Sequence, residues 1–159
     1  MADETSSFAA LYARYAADVF RFAMFLCGDR DDAEDITSET FSRAWTSSAP
    51  IRTDSVKAYL MTIARHVYLR ERRRQARRAP LPDDIADARL PADESLEQRD
   101  HVHAVRAQLS ALKELDRSAI LMHATMDMTY QQIADALGIS LASVKIKIFR
   151  ARLALAHAR

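Results

Sequence analysis

Lys145, Lys147, Arg150, Arg152 and Arg159 punctuate the stretch from Ile139 to Arg159, and no carboxylate stands among them. Unopposed cations at that density neutralise phosphates; they make and break no bonds. The residues around them specify two short helices and a tight corner. Thr129 can accept from a free backbone N–H while Gln132 reaches back, the reciprocal arrangement of a capping box. Ile133 and Leu137 share one face, Ala134 leaves room for a crossing helix, and Gly138 supplies the left-handed corner that a Cβ resists. Ser140 is a suitable N-cap for a second helix in which Val144, Ile148, Ala151 and Leu155 fall at helical spacing and point to a core. The opposite side carries Ala142, Ser143, Ile146, Phe149 and Arg150, flanked by Lys145 and Lys147. That is the pattern of a helix-turn-helix, whose second helix presents its N-terminal part to base edges in the major groove.

Other residue types that perform chemistry are present without the company they need. His66, His101, His103, His123 and His157 form no metal or nucleophile set, and His101 and His103 lie on different faces of a helix. Glu34 and Glu39 lack the Glu-x-x-His spacing of a carboxylate-bridged di-iron bundle. Cys27 is the single cysteine, cannot form an internal disulfide, and sits in an apolar stretch as a buried structural thiol would. No catalytic residue, metal or cofactor is expected. Two further clusters carry charge. Asp29, Asp31, Asp32, Glu34 and Asp35 open a helix where carboxylates complement the N-terminal dipole, which accounts for the cluster by itself; the alternative is a protein-docking surface. Basic residues interleaved with Trp45, Tyr59 and Tyr68 suit capture of an unstacked strand, or else the aromatics are core and the arginines a solvated end.

The elements that must position these residues are helical. The chain has 159 residues, 49% hydrophobic, with only two glycines and four prolines, too few for the turns of a sheet protein. No apolar run reaches the roughly 20 residues of a membrane span, and the acidic start Met-Ala-Asp-Glu is unlike a signal peptide, so a cytoplasmic protein without membrane insertion is expected. A net charge of +1 conceals segregation: from Arg52 to Arg78 nine basic residues meet two acidic ones, whereas Pro80 to Asp100 holds seven acids against two bases and three of the four prolines. The latter reads as a linker. Upstream, Phe8, Leu11, Tyr12, Tyr15, Val19, Phe22 and Phe25 or Leu26 recur at helical spacing up to Gly28. A second helix is expected from about Asp31 to Ser47, and a third from Thr53 or Asp54 to about Arg78, contributing Val56, Tyr59, Leu60, Ile63, Val67 and Tyr68 to a core. The expected fold is all-α: a helical bundle over residues 1–79, an acidic, proline-containing linker over 80–95, and a helix-turn-helix domain over 96–159.

Four separated motifs, in order, carry a family likeness. Phe8-Ala-Ala-Leu-Tyr-Ala-Arg-Tyr15, Asp32-Ala-Glu-Asp-Ile-Thr-Ser-Glu-Thr-Phe-Ser-Arg-Ala-Trp45, Lys57-Ala-Tyr-Leu-Met-Thr-Ile-Ala-Arg65, and Gln132-Ile-Ala-Asp-Ala-Leu-Gly138 followed by Val144-Lys145 resemble bacterial sigma factors of the extracytoplasmic-function group. The resemblance implies a non-enzymatic initiation subunit that lacks the middle domain of larger sigma factors. Its implied partners are core RNA polymerase, promoter DNA and an anti-sigma factor. The readings that compete with it are a freestanding regulator, which would bind its operator without polymerase, and a nucleic-acid enzyme.

Carried onto this chain, the likeness assigns polymerase docking to Asp32, Glu34, Asp35, Glu39 and Arg43. It assigns the minus-ten element to the 46–53 loop and the helix behind it, including Arg52, Thr53, Tyr59, Arg65, His66, Arg70, Arg72, Arg73 and Arg74. The minus-thirty-five element falls to Ala142, Ser143, Lys145, Ile146, Lys147, Phe149 and Arg150. Three residues depart from the family pattern: His66 stands where asparagine is common, Lys113 where proline is common, and Ile146 where serine is frequent.

Overall fold

The computed structural model describes residues 2–47, 56–78 and 96–157, all in helices or the short turns between them. The acidic linker, most of the 46–53 loop with Arg52 and Thr53, and the expected start of the third helix lie outside the described residues.

The first unit is built from α1 (Ala2–Cys27), α2 (Arg30–Thr46) and α3 (Val56–Arg77). Gly28 takes a positive φ of 73° and ends α1, and Asp29 then caps α2 by accepting from the Asp32 N–H at 3.0 Å. Two elements thus turn through a corner of two residues, which forces α1 and α2 side by side. Helical spacing puts Val19, Phe22, Ala23 and Leu26 against Ile36, Phe41 and Ala44 of α2 and Leu60, Met61, Ala64 and Val67 of α3, all buried. Phe8, Leu11 and Tyr15 pack against this core partly buried, whereas Tyr12 departs from the expected core face. Tyr12 is exposed and meets Phe41 edge-on at 4.9 Å, while half-buried Phe8 lies 4.8 Å from the exposed Trp45 ring. Phe8 and Tyr12 thus lie at the edge of the core, beside Trp45 and Phe41.

The second unit comprises α4 (Leu96–Ala111), α5 (Glu114–Ala124), α6 (Tyr130–Leu137) and α7 (Leu141–His157). Ile120, Leu121 and Met122 of α5, Ile133 and Leu137 of α6, and Val144, Ile148 and Ala151 of α7 make its interior. The turn from α5 to α6 passes through Asp127 at φ 50°, a left-handed conformation that aspartate tolerates better than most side chains. Among the described side chains of α4 only Leu109 is buried, consistent with a helix that leans on α1 and α7 rather than belonging to one core.

The units also pack on one another: α3 touches α6, and α1 touches α4 and α5. Polar links cross this seam. Arg65 donates to both carboxylate oxygens of Glu114, at 2.8 and 3.0 Å; Arg117 donates to the Tyr68 hydroxyl at 3.0 Å; and Arg106 donates to the Gly28 carbonyl. Glu114 is further held by the Ser118 hydroxyl at 2.8 Å. The Tyr68 hydroxyl receives a second donor, Arg72, at 2.7 Å, and its ring lies beneath both guanidinium groups.

Candidate polymerase and nucleic-acid interfaces

The caps and corner of the helix-turn-helix are made by hydrogen bonds that span no more than five residues. Thr129 accepts from the Gln132 N–H at 3.2 Å and Gln132 returns the bond to the Thr129 N–H at 3.0 Å. Gly138 sits at φ 66°, ψ 35°, with its N–H on the Ala134 carbonyl, and Ile139 donates to the same carbonyl. A Cβ at Gly138 would touch nothing within 4 Å, so the demand for glycine there is conformational and not steric crowding by neighbours. Ser140 accepts from the Ser143 N–H at 3.1 Å and starts α7.

On α7 the buried stripe of Val144, Ile148 and Ala151 fixes which residues face outward. Ala142, Lys145, Ile146, Phe149 and Arg150 are exposed, and Ser143 is half-buried with its hydroxyl accepting from Ser140 at 3.0 Å. Lys147 is different. Its ammonium lies 3.7 Å from Asp116 of α5, a carboxylate 8% exposed, so this cation is drawn inward.

The residues assigned to the minus-ten element share α3 but not one environment. His66, Arg70, Arg73 and Arg74 are exposed, and Tyr59 is half-buried. Arg65 faces the seam at 7% exposure, ion-paired with Glu114, and Arg72 is exposed while reaching back to Tyr68. Burial penalises the Glu114 carboxylate, but hydrogen bonds from Arg65 and Ser118 and the charges of Arg65 and Arg117 outweigh it and hold the group below the ordinary glutamate range.

The residues assigned to polymerase docking lie along α2. Glu34 and Asp35 are exposed; Glu39 is clamped between Arg43, at 3.1 Å, and Arg70 of α3. Asp32 is crowded: burial first, then the carboxylates of Asp29, Asp35, Glu71 and Asp31, push its carboxyl above the usual aspartate range. Negative charge is therefore concentrated at the start of α2 without enough cations to settle it. Glu39 and Arg70 come together across two helices, so the acidic face of α2 and the basic face of α3 meet along one edge. Cys27 beside this cluster donates to the Asp29 carbonyl, and burial pushes its thiol up to about 11, leaving it un-ionised at neutral pH. Among the described residues no group of His, Cys, Asp and Glu is placed to hold a metal ion, and no helix is long and apolar enough to cross a membrane.

An acidic helix backed by a basic one, with a separate cation-faced helix-turn-helix, agrees with what sequence comparison finds. The model for sigma-70 region 2 matches residues 11–78 and that for sigma-70 region 4 matches residues 103–155. The chain is 31% identical to the ECF RNA polymerase sigma factor SigL of Mycobacterium tuberculosis over 162 aligned positions, covering 97% of this chain and 89% of that one. It belongs to the extracytoplasmic-function (ECF) sigma factors.

SigM of Bacillus subtilis is 26% identical, with 89% of this sigma factor and 88% of SigM aligned. SigE of Mycolicibacterium smegmatis is 33% identical, but the chain spans only 57% of SigE's length. In three dimensions the fold is similar to that of the sigma factor RpoE, solved in complex with the anti-sigma factor NepR from Bartonella quintana, with TM-score 0.80, 23% identity and 96% of both chains covered. CnrH, solved with the cytosolic domain of CnrY, gives TM-score 0.72 at 23% identity, covering 96% of this chain and 87% of that one.

Glu114, Asp116, Arg117 and Ser118, not among the residues expected from the sequence, tie this sigma factor's two units together and anchor Lys147. A signal was available. Arg117 precedes Ile120 and Leu121 by three and four residues, so helical periodicity places a charged side chain on the core-facing stripe, where it needs a partner.

Proposed function

We propose that this sigma factor binds core RNA polymerase and directs promoter-specific initiation in the cytoplasm, with residues 1–79 and 96–159 acting as separate grips joined by the 80–95 linker. Bond formation stays with the polymerase; this chain positions DNA. The carrying observation is that the outer face of α7 stays open to solvent with Lys145 and Arg150 on it, even though both units pack together. That face docks the minus-thirty-five duplex, where phosphate contacts supply salt-dependent affinity and base-edge contacts supply choice of sequence.

The start of α2 docks polymerase. Burial and then the crowding of neighbouring carboxylates raise the Asp32 pKa, and a cationic partner relieves that repulsion while forming new pairs. Asp32, Glu34 and Asp35 meet that partner directly, and Glu39 and Arg43 set the edge between it and α3. His66, Arg70, Arg73 and Arg74 face the melted minus-ten strand together with Arg52, Thr53 and Tyr59, and Arg65 and Arg72 join them when the seam opens. RpoE and CnrH, whose fold this chain shares, were solved with an anti-sigma factor and with CnrY respectively, and an anti-sigma factor that covers these faces is the expected control.

Run-off transcription with purified core enzyme tests the proposal. Promoter-dependent transcripts should appear only when this chain is added. A chain that binds duplex DNA tightly by itself and leaves core polymerase unchanged would be a freestanding regulator instead.

A further inference from the structure

The reading face of α7 is poor in hydrogen-bonding groups. Ser143 shares its hydroxyl with the Ser140 cap, and Lys147 is turned to Asp116. Between the outward cations Lys145 and Arg150 the surface is apolar: Ile146 is 53% exposed and Phe149 63%. They are three residues apart, so they stand side by side on one helix face. Leu153 continues the stripe a turn later at 44% exposure. Large apolar groups in water need an apolar counterpart. The cations around them, with no acid from Ile139 onward, select a polyanion as the surface that brings it. On duplex DNA the apolar group offered in the major groove is the thymine C5-methyl.

We propose that Ile146 and Phe149 read thymine methyl groups, so that this sigma factor recognises its upstream element largely by apolar contact. The inference rests on the assignment of α7 to the minus-thirty-five duplex. Cβ atoms about 5–6 Å apart, set against a rise of about 3.4 Å per base pair, place the two thymines at neighbouring or next-but-one positions. A methyl buried against each side chain contributes about four-fold in affinity.

The test uses the full chain bound to core polymerase. The preferred upstream element is selected from a randomised duplex, and each thymine in it is then replaced by deoxyuridine, which removes the methyl and leaves every hydrogen-bonding edge intact. Wild type should lose about four-fold at each of two positions one or two steps apart. Ile146→Ser should abolish the penalty at one of them and Phe149→Ala at the other. Both side chains are exposed, so the variants keep their fold, checked by circular dichroism. If deoxyuridine is tolerated everywhere while an element is still selected, methyl reading is wrong and α7 reads by other means. If Ile146→Ser and Phe149→Ala leave promoter affinity unchanged, the stripe faces a protein partner and the inference falls. Should no upstream element be selected at all, the assignment of α7 to duplex DNA fails before the question of methyl groups arises.

Discussion

Replacing Glu114 by glutamine should open the molecule. The Arg65–Glu114 pair is bidentate, at 2.8 and 3.0 Å, with the two side chains 9% and 25% exposed. Exposed pairs contribute about 0–1 kcal/mol, and breaking a fully buried one costs about 3–5 kcal/mol. A pair with one buried and one partly wet member falls between, near 2 kcal/mol, because Arg65 is left desolvated without its counter-charge. The chain can escape that cost without unfolding, by letting the two units part so that Arg65 reaches water. A change of about 2 kcal/mol lowers the closed-to-open ratio about 30-fold. Spin or fluorescent labels at the exposed positions Ser42 and Ala154 would report the distance distribution. Cys27, its thiol pushed up to about 11 by burial, labels slowly at neutral pH and can stay in place. Acid should act in the same direction as the substitution. The folded pKa of Glu114 is lowered, so its contribution to closure is complete above the ordinary glutamate range and disappears as pH falls through the lowered value. An identical distance distribution in wild type and Glu114→Gln at neutral pH, together with no coupling between Arg65→Ala and Glu114→Ala in a double-mutant cycle, would refute the reasoning.

Lys145→Ala and Arg150→Ala should each reduce the slope of log affinity against log salt by about 0.9 on duplex promoter DNA, measured with the polymerase complex between low and moderate salt. Lys147→Ala should leave that slope nearly intact and lower the denaturation midpoint instead, since it strands the buried Asp116 carboxylate. Gly138→Ala should destabilise the helix-turn-helix by about 1 kcal/mol in urea titration through its left-handed backbone alone. Thr129→Ala should cost a similar amount, about 1 kcal/mol, by removing the cap of α6.

The capping box of Thr129 and Gln132, the left-handed Gly138, the Ser140 cap and the stop at Gly28 were all legible in the amino-acid order. Each is an interaction between residues within a turn or so of one another, so knowing the neighbours suffices. The same holds for the buried stripes of α3 and α7, where a period near 3.6 settles which side faces inward. Family motifs added the order of the units.

The partners of individual charges were decided elsewhere. Lys147 looked like a phosphate ligand beside Lys145 until packing of α7 on α5 brought Asp116 to 3.7 Å. Arg65 reads as one more cation in a basic helix, yet it meets a carboxylate 49 residues away and loses its access to water. Glu39 likewise joins Arg43 on its own helix to Arg70 on the next. Local sequence sets where a helix begins, ends and turns its apolar side, because those terms act along the chain. Which charges stay free to bind DNA or polymerase depends on distances between helices, and only the packed tertiary structure sets those.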